Sequence, residues 1–310
     1  MKQCPITYEP IENGLYSSTG LRRLNPALTK LGLLPFTDRE LILESRKRMT
    51  KMSIQGVQPK LSARLSVKNG EFEIVDQHGI YILKPNPSHF EKVPENEDLT
   101  MRLASTAGID VPLHGLIYNK EMKLVYVIRR FDRAGKSKKI HTEDFAQVAG
   151  LTRDTKYDYS MEKVANLIEK YCTFPVVEKL KLFRLVLFSY LVGNEDMHLK
   201  NVSLIHQDGK IGLSPPYDLL NSTIVLSNPK EEMALPIRGK KSNFNLNILF
   251  SYFGGERLGL NRKVLSKTEE EFSELYPKWV NLVEISFLSD ELKEKYIHIL
   301  DQRRESLGWG

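Results

Sequence analysis

The sequence is poor in cysteine, with only Cys4 and Cys172 among 310 residues. The two lie far apart, form no CxxC pair and have no histidine cluster beside them. A disulfide scaffold and a cysteine-rich zinc module are therefore excluded as the basis of the fold, and a reduced, cytoplasmic protein is expected. The N-terminal stretch lacks the apolar segment of a signal peptide. Long hydrophobic runs are missing as well. The most apolar stretch, residues 180–192, is interrupted by Lys181, Arg184 and Ser189, too short and too polar to span a bilayer, so no membrane partner is expected. Leu180, Phe183, Leu187 and Leu191 fall there at helical spacing, the pattern of a buried helix. Internal repeats, low-complexity blocks and zinc-finger or RRM signatures are all lacking.

What is present is an ordinary globular composition, 41% hydrophobic and 27% charged. The length suits one large domain or two lobes around a cleft, with room for a full core. A formal net charge of +6 admits nucleic acid, but equally an anionic ligand or an acidic partner. The basic residues are scattered, densest at 46–51 and 129–139, so direct sequence-specific DNA reading is not the expected role.

Residues 1–36 read as an irregular arm with short helices. A helix is predicted over 37–49, with Thr37 as cap and Glu40 three residues on. A polar loop follows, Ser53-Ile-Gln-Gly-Val-Gln-Pro-Lys60. Strands are predicted over 61–67 and 71–75 around Asn69-Gly70, a strong hairpin signal. Another is expected over 80–84, stopped by Pro85 and Pro87. A helix over 95–107 ends at Gly108, and strands over 113–118 and 124–128 complete a small sheet. Beyond residue 140 the pattern turns helical, at 142–150, 161–171, 176–192 and from 269 to the end. It is interrupted by a hairpin, 202–205 and 210–213, across Asp208-Gly209. The expected class is α+β: a β-rich lobe, 1–130, followed by a helical lobe, 131–310, with a ligand cleft between them.

The segment Gly193-Asn-Glu-Asp-Met-His-Leu-Lys-Asn201 follows the buried helix and precedes the short hairpin. Beyond the hairpin lies Pro215-Pro-Tyr-Asp218. Phosphoryl transfer needs a carboxylate that orients the attacking hydroxyl and accepts its proton, and oxygen ligands that hold Mg²⁺ against the phosphates of ATP. In protein kinases the catalytic Asp precedes a metal-binding Asn by five residues, and a hairpin leads to a second, metal-binding Asp. Asp196, Asn201 and Asp218 repeat that order. Lys200 could offset charge that develops on the phosphoryl group. An Asp and an Asn in such a loop are also ordinary turn residues, so it is the combination that points to chemistry. Lys84, closing an apolar strand, is the candidate phosphate lysine. Glu97 is its candidate partner, with Glu95 and Asp98 as competitors. The loop at 53–60 sits where a phosphate-covering loop belongs, although it has one glycine rather than the three of GxGxxG. His198 has no second histidine at ligand spacing, and is expected to support its loop through hydrogen bonds rather than to hold zinc.

These motifs together resemble the HipA-like toxin kinases. The resemblance rests on the 53–60 loop, Tyr81-Ile-Leu-Lys-Pro85, Asn96-Glu97, Arg130-Phe-Asp-Arg133, Glu143-Asp144 with Gln147, the Asn194–Asn201 loop and Pro216-Tyr-Asp218, which run in family order across most of the chain. The HRD, DFG and APE hallmarks of ordinary protein kinases are absent, which favours this atypical family. The resemblance implies a two-lobed protein-kinase-like fold with an ATP cleft and Mg²⁺-dependent phosphorylation of serine in a protein. It implies Asp196 as base and Asn201 and Asp218 as Mg²⁺ ligands. Lys84, Gly56, Val57, Gln58 and His198 fall on the nucleotide side, and Arg129 and Phe131 on the adenine-side hinge. Ser53 takes the position of an autophosphorylated serine. With only about 50 residues ahead of the loop, the chain resembles the short form, HipT of HipBST toxin–antitoxin systems. That form implies a HipS-like antitoxin and a HipB-like DNA-binding partner, with DNA reached only through the latter. Family targets are aminoacyl-tRNA synthetases, glutamyl- or tryptophanyl-. Two other classes share some of these features: small-molecule kinases of the aminoglycoside or choline type, and non-catalytic pseudokinase scaffolds.

Overall fold

The structure, a computed structural model, describes residues 2–48, 58–135, 138–151, 156–226 and 231–310. Ser53, Gly56 and Val57 lie outside the described residues. The chain divides into two compact units. The first comprises Met1–Leu99, Pro112–Lys139 and Ile285–Ser289, and the second Thr100–Val111, Ile140–Glu284 and Asp290–Gly310.

The first unit opens with two short strands, β1 (Lys2–Gln3) and β2 (Pro10–Ile11), which pair with each other, and helices α1 (Ser18–Leu24) and α2 (Asp38–Arg48). The Ser17 hydroxyl caps α1 by accepting from the Gly20 amide at 2.9 Å. Thr37 and Glu40 form the expected reciprocal cap of α2: the Glu40 amide donates to Thr37 Oγ1 at 3.1 Å, and the Thr37 amide to Glu40 Oε2 at 2.7 Å. Next come β3 (Leu61–Ser66), β4 (Glu71–Ile74), β5 (Tyr81–Lys84), α3 (Val93–Thr106), β6 (His114–Tyr118) and β7 (Leu124–Arg129). The five strands form one antiparallel sheet in the order β4-β3-β5-β7-β6. A further short pair, β8 (Arg133–Ala134) and β9 (Lys138–Lys139), closes this part of the chain.

The β3–β4 turn requires glycine. Gly70 has a φ of 67°, and a Cβ there would stand 2.5 Å from the Lys30 carbonyl oxygen. The core behind the sheet includes Leu61, Ala63, Leu83, Val125 and Val127, packed with Ile6, Leu28 and Leu41 from the N-terminal segments. At alternate strand positions, one face of β3, β5 and β7 is thus buried. Residues 1–36 therefore hold strands as well as a helix, and contribute to this core.

The second unit contains β10 (Thr142–Asp144), α4 (Phe145–Val148), α5 (Met161–Tyr171), α6 (Pro175–Leu191), β11 (Ser203–Gln207), β12 (Lys210–Leu213), α7 (Arg262–Ser273), α8 (Tyr276–Glu284) and α9 (Asp290–Ser306). Residues Asn247–Arg257 wind with wide, π-type turns. The expected helix over 142–150 is corrected. Its first three residues are a strand paired antiparallel with β11, and only Phe145–Val148 are helical. Cross-strand hydrogen bonds outcompete helix propensity over so short a stretch. Asp208 and Gly209, both at positive φ, turn β11 into β12 as Asp-Gly predicts. α6 is the spine of this unit: Leu182, Phe183, Val186, Leu187 and Phe188 are fully buried, whereas Leu180 is only half-buried. Edge-to-face contacts of Phe183 with Phe250, Phe188 with Trp279 and Tyr190 with Phe244 fill the space around it.

Candidate active site

In the first unit, Lys84 ends β5 and its ammonium lies 2.5 Å from Glu97 Oε1 on α3, with both side chains almost completely buried. The alternatives have other partners: Asp98 Oδ1 meets His114 Nδ1 at 2.8 Å, and Glu95 Oε1 meets Lys92 at 2.8 Å. Burial pushes the Glu95 carboxyl above its ordinary range, despite the nearby Lys92 charge. Neighbouring residues of a helix point about 100° apart, so the direction of α3 against β5 selects Glu97. Gln58 Nε2 donates to Glu97 Oε2 at 3.4 Å, placing the described end of the 53–60 loop beside the pair.

Arg129 closes β7 opposite Tyr81, and its amide donates to the Leu113 carbonyl at 2.7 Å. Phe131 follows, half-buried. Around it Arg130 grips Asp132 through two nitrogens, at 2.9 and 2.7 Å, and Arg133 reaches the same carboxylate at 2.5 Å. Desolvation pushes the Asp132 carboxyl up, but the Arg130 hydrogen bonds and both guanidinium charges outweigh it and hold it below its ordinary value.

In the second unit, α6 stops at Gly193, whose φ is 68°. A Cβ there would lie 2.8 Å from Thr223 Oγ1, 2.9 Å from Asn221 Oδ1 and 3.0 Å from Ile299 Cγ2. The following loop is held from both flanks. The Glu195 amide donates to Ser222 Oγ at 2.7 Å, and Thr223 Oγ1 donates to Glu195 Oε1 at 2.6 Å. The Asp196 carbonyl accepts from the His198 amide and from Asn201 Nδ2, both at 2.8 Å. With Nδ2 so engaged, Oδ1 is the Asn201 atom that suits a hard cation. His198 Nδ1 accepts from the Lys200 amide at 3.2 Å, and the Tyr217 hydroxyl donates to the Lys200 carbonyl at 2.9 Å. His198 is thus a loop support, as the sequence suggests.

The Asp196 side chain is about half exposed, at 47%, and its Oδ1 lies 3.7 Å from His198 Nε2. It also accepts from the Tyr157 hydroxyl at 2.9 Å, and Lys156 Nζ lies 2.6 Å from His198 Nε2. Burial lowers the His198 pKa, and Lys156 adds to that; the Asp196 and Asp218 charges oppose it. Both carboxylates therefore act on one imidazole. Asp218 has a φ of 56°, a sparsely populated conformation for a non-glycine residue. Asn201 and Asp218 offer oxygen donors of the kind that suits a hard cation such as Mg²⁺.

Several contributors escaped the sequence reading. Lys156 and Tyr157 are some forty residues from the loop they touch, and nothing local marks them. Glu178 is a buried carboxylate on α6 that accepts from the Leu213 amide at 2.8 Å and so fixes β12. Tyr217 lies inside a motif the sequence did flag, between Pro216 and Asp218.

A strand lysine paired with a helix glutamate, followed by Asp, Asn, hairpin and Asp in that order, defines the protein-kinase-like class of folds. The chain belongs to the family described as HipA-like C-terminal domain, which matches residues 52–279. A Haemophilus influenzae protein named as a kinase is 30% identical over 294 residues, covering 86% of this chain and 85% of the relative. The Shewanella oneidensis serine/threonine-protein kinase toxin HipA is 28% identical over 69% of this chain, which spans about half of that relative, 53%. Among solved structures, HipA in the Shewanella oneidensis complex of HipA, HipB and operator DNA superposes with a TM-score of 0.70 at 23% identity. That match covers 91% of this chain and 73% of the solved one, and shows the likeness of fold. Among the described residues, no helix is long and apolar enough to cross a membrane.

Proposed function

We propose that the chain is an ATP- and Mg²⁺-dependent serine/threonine protein kinase acting as the toxin of a toxin–antitoxin system in the cytoplasm. The single observation that carries the reading is the bond from Asn201 Nδ2 to the Asp196 carbonyl at 2.8 Å. It holds a base candidate and a metal-ligand candidate in one rigid turn, with the Asp196 carboxylate left partly open to an incoming hydroxyl. Bound Mg·ATP supplies the transferable phosphoryl group. Lys84, oriented by Glu97, would contact nucleotide phosphates, and Arg129 and Phe131 would serve the adenine side. Asn201 and Asp218 would hold the cation. Asp196 accepts the proton of the attacking serine as the new O–P bond forms and ADP leaves, and Lys200 offsets the charge that develops. Tyr157 occupies Asp196 Oδ1, so its hydrogen bond yields when the substrate hydroxyl arrives. In this reading residues 1–130 supply the nucleotide-binding lobe and 131–310 the catalytic one.

The family relationship supports a HipB-like DNA-binding partner; a HipS-like antitoxin belongs to the same proposal. An aminoacyl-tRNA synthetase is the proposed target, and Ser53 the proposed autophosphorylation site. The test is incubation with γ-labelled ATP and whole lysate, with Asp196→Asn as control, followed by mass spectrometry of the labelled proteins. Serine label on a discrete protein, absent with the variant, supports the reading. Label only on small molecules, or equal label with the variant, overturns it.

A further inference from the structure

Away from the catalytic loop, three ligand-bearing side chains converge on the β10–β11 ladder. The His206 amide, on β11, donates to the carbonyl of His141, just ahead of β10, at 2.9 Å, so the two histidines stand opposite one another. Their ring centroids are 4.5 Å apart. Glu143 lies two residues beyond His141, on the same face of the strand. Its Oε2 is 3.1 Å from His141 Nε2 and 3.7 Å from His206 Nε2. One ligand atom from each of the three residues lies within 4.8 Å of both others.

We propose that His141, Glu143 and His206 form a binding site for a borderline-soft divalent cation of the Zn²⁺ class, separate from the catalytic Mg²⁺ position. Zinc bonds to nitrogen and carboxylate oxygen are roughly 2.0–2.2 Å, which sets tetrahedral ligand atoms about 3.3–3.5 Å apart. The two measured carboxylate–imidazole separations bracket that spacing. Rotation of the imidazoles, which are not locked in a core, closes the remaining distance between the two rings. Two imidazoles and one carboxylate select zinc, and less strongly nickel or cobalt, over Mg²⁺ and Ca²⁺, which favour all-oxygen sets. The His141 side chain is 63% exposed, so water can complete the coordination shell. The alternative role for these groups, a solvated ion-pair cluster, gives little stability, and places no demand on three ligands meeting at one point.

The cation would act as a clamp. β11 starts two residues after Asn201, and β10 ends at Asp144, which caps α4 with Gln147 in a reciprocal box. The Phe145 amide also donates to the Val202 carbonyl at 3.0 Å. Cross-linking β10 to β11 therefore ties down the hairpin that anchors the end of the catalytic loop.

The test uses the full chain, freed of any affinity tag and stripped with chelator. Zn²⁺ is titrated by calorimetry in excess Mg²⁺, and thermal unfolding is followed in parallel. One equivalent should bind with a Kd of about 10 μM or tighter and raise the unfolding midpoint. His141→Ala and His206→Ala should each weaken binding at least tenfold while leaving the metal-free midpoint nearly unchanged, because both side chains are at the surface. Co²⁺ should give a visible absorption band that the double variant lacks. Asp218→Ala should leave Zn²⁺ binding intact, which keeps this site independent of the kinase reading. Binding that persists in the His141→Ala/His206→Ala variant, or no saturable binding up to about 1 mM, would overturn the proposal.

Discussion

Asn201 Nδ2 donates to the Asp196 carbonyl at 2.8 Å, so a side chain five residues downstream closes the turn that presents Asp196. The two residues consequently respond differently to substitution. Asp196→Asn keeps every main-chain bond of the turn. It should lower turnover by about 10²–10⁴-fold, the range for a positioned base, with nucleotide affinity and unfolding midpoint unchanged. Asn201→Ala removes both the anchor and the proposed metal ligand. It should weaken Mg²⁺-dependent nucleotide binding and also cost roughly 1 kcal/mol of stability. Calorimetry and thermal unfolding on both variants separate the two patterns; equal loss of nucleotide binding in both would contradict them.

The Lys84–Glu97 pair is buried on both sides. Removing one partner takes from a buried charge its ion-pair partner, so Lys84→Met and Glu97→Leu should each destabilise the fold by about 3–5 kcal/mol. The double variant Lys84→Met/Glu97→Leu should recover much of that stability while still failing to bind nucleotide. Denaturant unfolding of the four proteins in a double-mutant cycle measures the coupling. Additive losses would show that the pair contributes nothing as a pair.

Gly193 ends α6 at positive φ with Thr223, Asn221 and Ile299 crowded against the space of a Cβ. Gly193→Ala meets both backbone strain and a clash. It should cost about 2–4 kcal/mol and lower turnover, because the same residue opens the Asp196 loop. An alanine at the exposed Gly209, where no atom stands within 4 Å of a Cβ, keeps the strain but not the clash. Its cost should be smaller, about 1 kcal/mol, with turnover unaffected. Equal unfolding midpoints for the two variants would count against the packing argument.

Asp132, held by Arg130 and Arg133, has a folded pKa below its ordinary 3.8. A depressed carboxylate pKa stabilises the fold above the unfolded value, and that contribution is lost as pH falls through the folded value. Asp132→Asn should therefore be less stable than the parent protein at neutral pH by about 1 kcal/mol. The difference should shrink as pH drops from above 3.8 and vanish once the parent carboxyl is protonated. Urea unfolding across that window reads it directly. A constant difference at every pH would mean the ion trio is not its origin.

Much of the local structure was legible in the residues themselves. Asn69-Gly70 and Asp208-Gly209 marked their hairpins because only a few residue types tolerate positive φ at a tight turn. Thr37 with Glu40 announced the start of α2, since a cap is a contact across three residues. The five-residue spacing of Asp196 and Asn201 marked one turn, which the Asn201 side chain closes, because such a turn is short. Residues 142–144 were misread as helical, since nothing in them reveals that β11, some sixty residues away, offers its edge.

The sequence by itself determined which side chains were available, where the chain turns, and which faces of its helices and strands are apolar, because each of these depends on neighbours within a few residues. Only the tertiary structure decided that Lys84 meets Glu97 rather than Glu95 or Asp98, and that Tyr157 lies on Asp196. It also decided that His141 and Glu143 share a point with His206. Such meetings depend on the direction in which packed elements approach one another, and that direction follows from burying the whole core at once, not from any local spacing.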